Sequence, residues 1–356
     1  MTDPEFLALP DLASRALAGS VVYADDEFFA EKENLILPSE PVFDPDLFGH
    51  KGKVYDGWET RRRRSPGQDA AIVRLGVPGV VRGVVVDTAF FRGNFPPQVA
   101  VDGAWIDGYP GTDELPGAHW RPLVPAAAAE GDTRNLFAVS DPVSVTHVRL
   151  RMIPDGGVAR LRVHGEPTPD PAFLGGTVDL AAAENGGRVV DCSDLFYSSP
   201  ANIIAPGRSR IMGEGWENAR RRDGGNDHVT VALAGQGTVD HVEIDTSYYV
   251  GNAPGSASLR GIARAEDLEH PDRWVDLVPR TPLQPDCRHR YLVGSGSGAE
   301  PGAEPGAADL VRFVRLDVFP DGGIARLRVH GRLSTEALDL LAARVAQARH
   351  TGLMRS

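Results

Sequence analysis

Ile153-Pro154-Asp155-Gly156-Gly157-Val158-Ala159-Arg160-Leu161-Arg162-Val163-His164-Gly165 returns later in the chain as Phe319-Pro320-Asp321-Gly322-Gly323-Ile324-Ala325-Arg326-Leu327-Arg328-Val329-His330-Gly331, identical at 11 of 13 positions. Before the turn, Val148, Leu150 and Met152 alternate with Arg149 and Arg151. After it, Ala159, Leu161 and Val163 alternate with Arg160, Arg162 and His164. A period of two is that of a strand with one face buried. Two such runs around Pro-Asp-Gly-Gly predict a β-hairpin, with Arg160, Arg162, His164 and His330 on its solvated side.

Working outward, other stretches also occur twice. Asp56-Gly57-Trp58-Glu59-Thr60-Arg61-Arg62-Arg63-Arg64 has its echo in Glu214-Gly215-Trp216-Glu217-Asn218-Ala219-Arg220-Arg221-Arg222. Arg61 alone of the first three arginines is lost, its counterpart being Ala219. Val80–Thr88 runs into Gly93-Asn94-Phe95-Pro96, and Val239–Thr246 into Gly251-Asn252-Ala253-Pro254. The chain therefore reads as all-β, two tandem jelly-roll β-sandwich repeats at 21–165 and 188–331. A lead occupies 1–20, a proline- and glycine-rich linker 166–187, and a helical tail 332–356. In that tail Leu338, Leu341 and Val345 form one apolar stripe. Gly294–Ala308, made of Gly, Ser, Ala, Pro and Glu, is expected to be a loop between strands.

Bulk properties narrow the function. A formal net charge of −12 lacks the broad basic surface that nucleic acid requires. No apolar run approaches the roughly 20 residues that span a bilayer, and no signal sequence is visible, so a cytoplasmic protein is expected. Cys192 and Cys287 make neither a disulfide framework nor a metal motif. The histidines show no metal-ligand spacing, so neither a metal nor a cofactor is expected. The striped C-terminal helix and sandwich edges lead to the expectation of a homo-oligomer.

An acidic chain that twice gathers arginines beside a glutamate suggests a local anion site. A guanidinium grips a carboxylate through two parallel hydrogen bonds. Arg62, Arg63, Arg220 and Arg221 are the candidate substrate-binding cations, with Asn94 and Asn252 as amide contacts. In an extended strand Arg62 and Arg63 face opposite ways, so they cannot all grip one ligand. Surface pairing with acids is the alternative for each. Glu59 and Glu217 are candidate acids or bases, or else positioners of arginine. Asp87 and Asp245 are further catalytic candidates at strand ends, where capping a turn is the alternative role. Trp58 and Trp216 are read as ligand-stacking candidates or core anchors.

Together the doubled Gly-Trp-Glu-x-x-Arg-Arg, Asp-Thr/Gly-Asn and Pro-Asp-Gly-Gly-x-Ala-Arg-Leu-Arg-Val elements resemble the allantoicase family over nearly the whole of 21–331. The resemblance implies two jelly rolls similar to galactose-binding-like domains. It also implies hydrolysis of allantoate to ureidoglycolate and urea. The alternative is a non-catalytic duplicated sandwich that binds a small acid or sugar.

Overall fold

A computed structural model of the chain describes residues 4–294 and 310–353. Most of the expected Gly294–Ala308 loop, residues 295–308, lies outside the described residues. The fold is all-β apart from short 3-10 turns and one C-terminal helix, and it forms two compact units, Met1–Pro169 with Arg344–Ser356 and Asp170–Ala343.

The first unit holds β1 (Ser20–Ala24), β2 (Phe48–Gly49), β3 (Gly52–Lys53), β4 (Trp58–Glu59), β5 (Asp69–Asp87) and β6 (Gln98–Ala104). It continues with β7 (Arg121–Ala128), β8 (Arg134–Ala138), β9 (Ser144–Ile153), β10 (Gly157–Val158) and β11 (Arg160–Pro167). The second unit holds β12 (Val178–Asp179), β13 (Arg188–Cys192), β14 (Asp227–Asp245) and β15 (Ser256–Ile262). After these come β16 (Val275–Pro282), β17 (Arg288–Leu292), β18 (Val311–Phe319) and β19 (Arg326–Leu333).

One long strand organises each unit. The first half of β5 pairs with β1 and β9, and its second half with β11 and β8. Between the halves the register slips across Arg74–Gly79, where Gly76, Pro78 and Gly79 interrupt the ladder. A strand broken there can leave one sheet and enter the other, which makes a sandwich from a single strand. β14 repeats the device: β13 and β18 lie along its first half, β17 and β19 along its second, with a slip across Ala232–Gly237.

This topology corrects the hairpin expectation. β9 and β11 do not pair with each other; β9 lies between β5 and β6, whereas β11 pairs with the far half of β5. The Pro-Asp-Gly-Gly turn instead carries the chain from one sheet to the other. Period-two alternation reports a buried face but not the identity of the neighbour, and so the two arrangements look alike in sequence.

The alternating apolar positions are the core. Leu150, Met152, Leu161 and Val163 are fully buried, as are Leu316, Val318, Leu327 and Val329. Each contributes about 1.5–3 kcal/mol through the area it removes from water. The expected outward face of β11 is only partly outward. Arg160 is buried, and His164 lies under the N-terminal lead, with Nδ1 2.8 Å from the Leu9 carbonyl and Phe6 against its ring. His330 stacks on His241 at 4.3 Å.

The lead is tied in as well: Leu12 N–H donates to the Val163 carbonyl, and Asp11 accepts from Val163 and Ala13. Leu180 and Asp179 make the same contacts with Val329 and Ala181 in the second unit. The helix α1 (Thr335–Leu353) buries Ala337, Leu341, Val345 and Ala348, with Leu338 at the margin of that stripe. Among the described residues no helix is long and apolar enough to cross a membrane.

Candidate functional site

The turn that changes sheets also gathers two distant segments. Asp155 accepts the backbone N–H of Arg63 at 2.8 Å, and the Gly156 carbonyl accepts that of Thr60 at 3.0 Å. Gly157 N–H donates to the Asn94 carbonyl at 2.8 Å. The Trp-Glu-Thr-Arg stretch and the Gly-Asn-Phe-Pro loop are thereby pinned to one turn. Gly156 has φ +150°, and a Cβ there would stand 2.6 Å from Pro96 N. Only glycine lets the backbones approach this closely. The second unit has the same arrangement. Asp321 accepts from Arg221 N, Gly323 donates to the Asn252 carbonyl, and Gly322 (φ +131°) donates to the Asn218 side chain.

What the turn assembles is a carboxylate held by an amide. Asn94 Nδ2 donates to Glu59 Oε1 at 2.8 Å, and Asn252 Nδ2 donates to Glu217 Oε1 at 2.6 Å. Burial raises the Glu59 pKa above the ordinary glutamate value, while the Asn94 hydrogen bond and the Arg62 charge pull the other way. In the second unit Ser198 Oγ accepts the Glu217 backbone N–H at 2.8 Å.

The arginines divide into two kinds. Arg62 and Arg220 are exposed, and neither guanidinium has a hydrogen bond or ion pair among the described residues. Arg63 and Arg221 are half-buried. Arg63 bridges Asp69 and the Gln68 carbonyl, and Arg221 bridges Asp227 and Asp223. Both are committed to holding their own strands. Arg61 pairs with Asp26 at 2.6 Å; at Ala219 only the backbone N–H remains to meet Asp194.

Among the described residues neither Asp87 nor Asp245 makes a hydrogen bond to the glutamate of its repeat. Asp87 Oδ1 accepts the Ala89 N–H at 2.8 Å and Asp245 Oδ1 the Ser247 N–H at 2.9 Å, which is the turn-capping geometry. Trp58 and Trp216 have no exposed surface, and their indole N–H groups donate to the Asp26 and Asp194 carbonyls. They fix the glutamate strand from below and do not present a ring to a ligand.

Sequence reasoning passed over Asp155, Asp321, Arg160 and Arg326. Arg160 is 1% exposed and holds the Asp56 carbonyl and carboxylate, while Arg326 holds the Glu214 carbonyl. Their signal was present in the doubled Pro-Asp-Gly-Gly-x-Ala-Arg segment, whose near-identity is stronger than a hairpin demands. Among the described residues no group of three or more His, Cys, Asp or Glu is placed to hold a metal ion.

The comparison with known proteins agrees with the duplicated geometry. The Allantoicase repeat family model matches residues 10–168 and 178–334. A probable allantoicase of Nocardia farcinica is 55% identical over 331 residues, covering 92% of this chain and 95% of the relative. One from Pseudomonas aeruginosa is 40% identical, covering 90% and 95%. The crystal structure of allantoicase from Saccharomyces cerevisiae superposes with a TM-score of 0.75 at 31% identity, covering 92% of this chain and 96% of that one. The chain belongs to the allantoicase family.

Proposed function

We propose that this chain hydrolyses allantoate to ureidoglycolate and urea, and that Glu59, Asn94 and Arg62 carry the reaction, with Glu217, Asn252 and Arg220 as their second-repeat counterparts. The observation behind this reading is the Asn94–Glu59 hydrogen bond beside an unpaired guanidinium. It sets a proton-transfer group next to an anion-binding group.

Allantoate carries one carboxylate and two ureido arms on a single carbon. Arg62 binds the carboxylate. Glu59, its carboxylate held by the Asn94 amide beside the Arg62 charge, takes a proton from water as the water oxygen bonds to the central carbon. As that bond forms, the carbon–nitrogen bond to one ureido arm breaks with its electron pair going to nitrogen, and the proton passes from Glu59 to that nitrogen, releasing neutral urea. One carboxylate thus serves as base and then acid, which suits a site where Asp87 is engaged as a turn cap. Asn94 and exposed backbone groups read the ureido arms.

The protein is expected to work in the cytoplasm as a homo-oligomer. Phe196, Tyr197, Ile211, Tyr248 and Val250, all exposed in the second unit, support association. Purified protein incubated with allantoate, allantoin or arginine tests the activity through urea release, which is expected from allantoate alone. Binding of allantoate without urea release would favour the non-catalytic acid- or sugar-binding sandwich.

A further inference from the structure

The two repeats differ in the segment that leads to their glutamates. In the first, Asn34 Nδ2 holds the Gly57 carbonyl; in the second, Asn202 Nδ2 holds that of Gly215. The chain between these equivalent anchors is ten residues longer in the first repeat. Those extra residues form the β2–β3 hairpin, Phe48–Gly49 against Gly52–Lys53. The whole chain contains three lysines, Lys32, Lys51 and Lys53, and the hairpin carries two of them.

The hairpin is seated beside the Glu59 site. Its base stacks through Phe43 on Phe90 (5.5 Å) and Tyr55 (5.1 Å), and Tyr55 stacks on Phe91 (4.8 Å). Phe90 and Phe91 begin the loop that delivers Asn94. At the hairpin tip Lys51 Nζ lies 4.8 Å from the centre of the Phe28 ring, and Arg61 lies 5.5 Å from the same ring. Phe28 is joined to the glutamate strand through its neighbours, because Phe29 and Ala30 N–H groups donate to the Glu59 carbonyl. Lys53 Nζ stands over Phe43 and Phe48 at 5.6 and 5.5 Å.

Neither Lys51 nor Lys53 has a hydrogen bond or ion pair among the described residues. Lys32, by contrast, is paired with Glu27 and Glu33. A cation over an exposed aromatic ring is weakly held and is released readily to an anion. Among the described residues of the second repeat there is no such hairpin. Tyr248, in the place of Phe90, is 47% exposed, and Phe196, in the place of Phe28, is 71% exposed against 43%.

We infer that the β2–β3 hairpin is the anion-gripping flap of the first-repeat site, with Lys51 and Lys53 meeting the carboxylate of the substrate along with Arg62. The substrate class is a small carboxylate, and the inference rests on the proposed allantoate hydrolysis. The flap makes the first repeat the one that takes the anionic substrate by this route.

Limiting acetylation of the intact protein, read by peptide mass spectrometry, tests the flap without relying on turnover. Saturating allantoate is expected to slow acetylation of Lys51 and Lys53 by about threefold or more, while Lys32, held by two glutamates, serves as the internal control. The K51A/K53A double variant is expected to raise KM for allantoate by about tenfold with kcat little changed, as for loss of a charged contact made in ground and transition states alike. K51R/K53R should recover most of the loss. Equal labelling of both lysines with and without allantoate, in protein that releases urea, overturns the inference, as does an unchanged KM in the double variant. Wild-type protein that releases no urea while its flap lysines are protected defeats the proposed hydrolysis and leaves the flap standing.

Discussion

Asn94 reaches across 35 residues of chain to donate its amide hydrogen to Glu59, and Asn252 does the same for Glu217. Each amide is set by a turn from elsewhere in the repeat, because Gly157 and Gly323 hold the asparagine carbonyls.

Replacing Asn94 by Ala should lower kcat by about ten- to a hundredfold, the cost of a hydrogen bond to a charged group in a partly buried site. KM should change less, because the amide is expected to act on Glu59 more than on substrate. Steady-state urea release from N94A and N252A, compared side by side, gives the share of turnover that each repeat carries.

Glu59→Gln keeps size and removes the proton carrier, so turnover should fall by about 10²–10⁴-fold. Burial raises the Glu59 pKa above the ordinary value of 4.5. The acidic limb of the wild-type pH–rate profile should therefore fall above 4.5, with activity lost as pH drops through it. That limb should be missing from the residual activity of E59Q.

The arginines separate binding from folding. Arg62→Lys keeps the charge but loses the planar fork, so KM should rise several-fold with thermal stability intact. Arg63→Ala leaves the buried Asp69 without its partner and should cost about 2–3 kcal/mol in chemical unfolding, less than a fully enclosed pair because Arg63 is partly exposed. If both variants only unfold, the arginine stretch is structural throughout.

Asp87 gives a stability test with a definite sign. Burial raises its pKa above the ordinary 3.8. The folded state therefore holds its proton more tightly than the unfolded chain. The contribution is full below 3.8 and is lost as pH rises through the folded value. Asp87→Asn keeps the acceptor for the Ala89 N–H without the buried charge, so its unfolding free energy at neutral pH should equal or exceed that of the wild type. Asp87→Ala should lose about 1 kcal/mol with the cap. A hundredfold fall in kcat for a fully folded D87N would return this residue to the catalytic group.

Gly156→Ala probes the turn that assembles the site. Its Cβ would meet Pro96 N at 2.6 Å at a φ of +150°. A loss of about 1–3 kcal/mol is expected, together with reduced turnover, as the Asn94 loop is pushed from Glu59. Gly108→Ala, at a φ of +68° and with nothing within 4 Å, is the control for backbone strain alone.

By itself the sequence determined the duplication, the all-β class, the apolar faces of the strands and the family. Those properties are written in local alternation and in near-identical segments, and both survive without knowledge of any neighbour. It also singled out Glu59, Asn94 and Arg62, whose pairing could not be read because they are brought together only by a turn some sixty residues beyond Asn94. Only the tertiary structure decided that Pro-Asp-Gly-Gly crosses between sheets, since a buried face does not name its partner strand. The same holds for the arginines: Arg63 is tied down because Asp69, at the start of β5, pairs with it, while Arg62 meets no acid among the described residues. The flap lysines were equally silent in sequence, because a short hairpin carries no periodicity and its place beside Glu59 depends on the aromatic rings stacked beneath it.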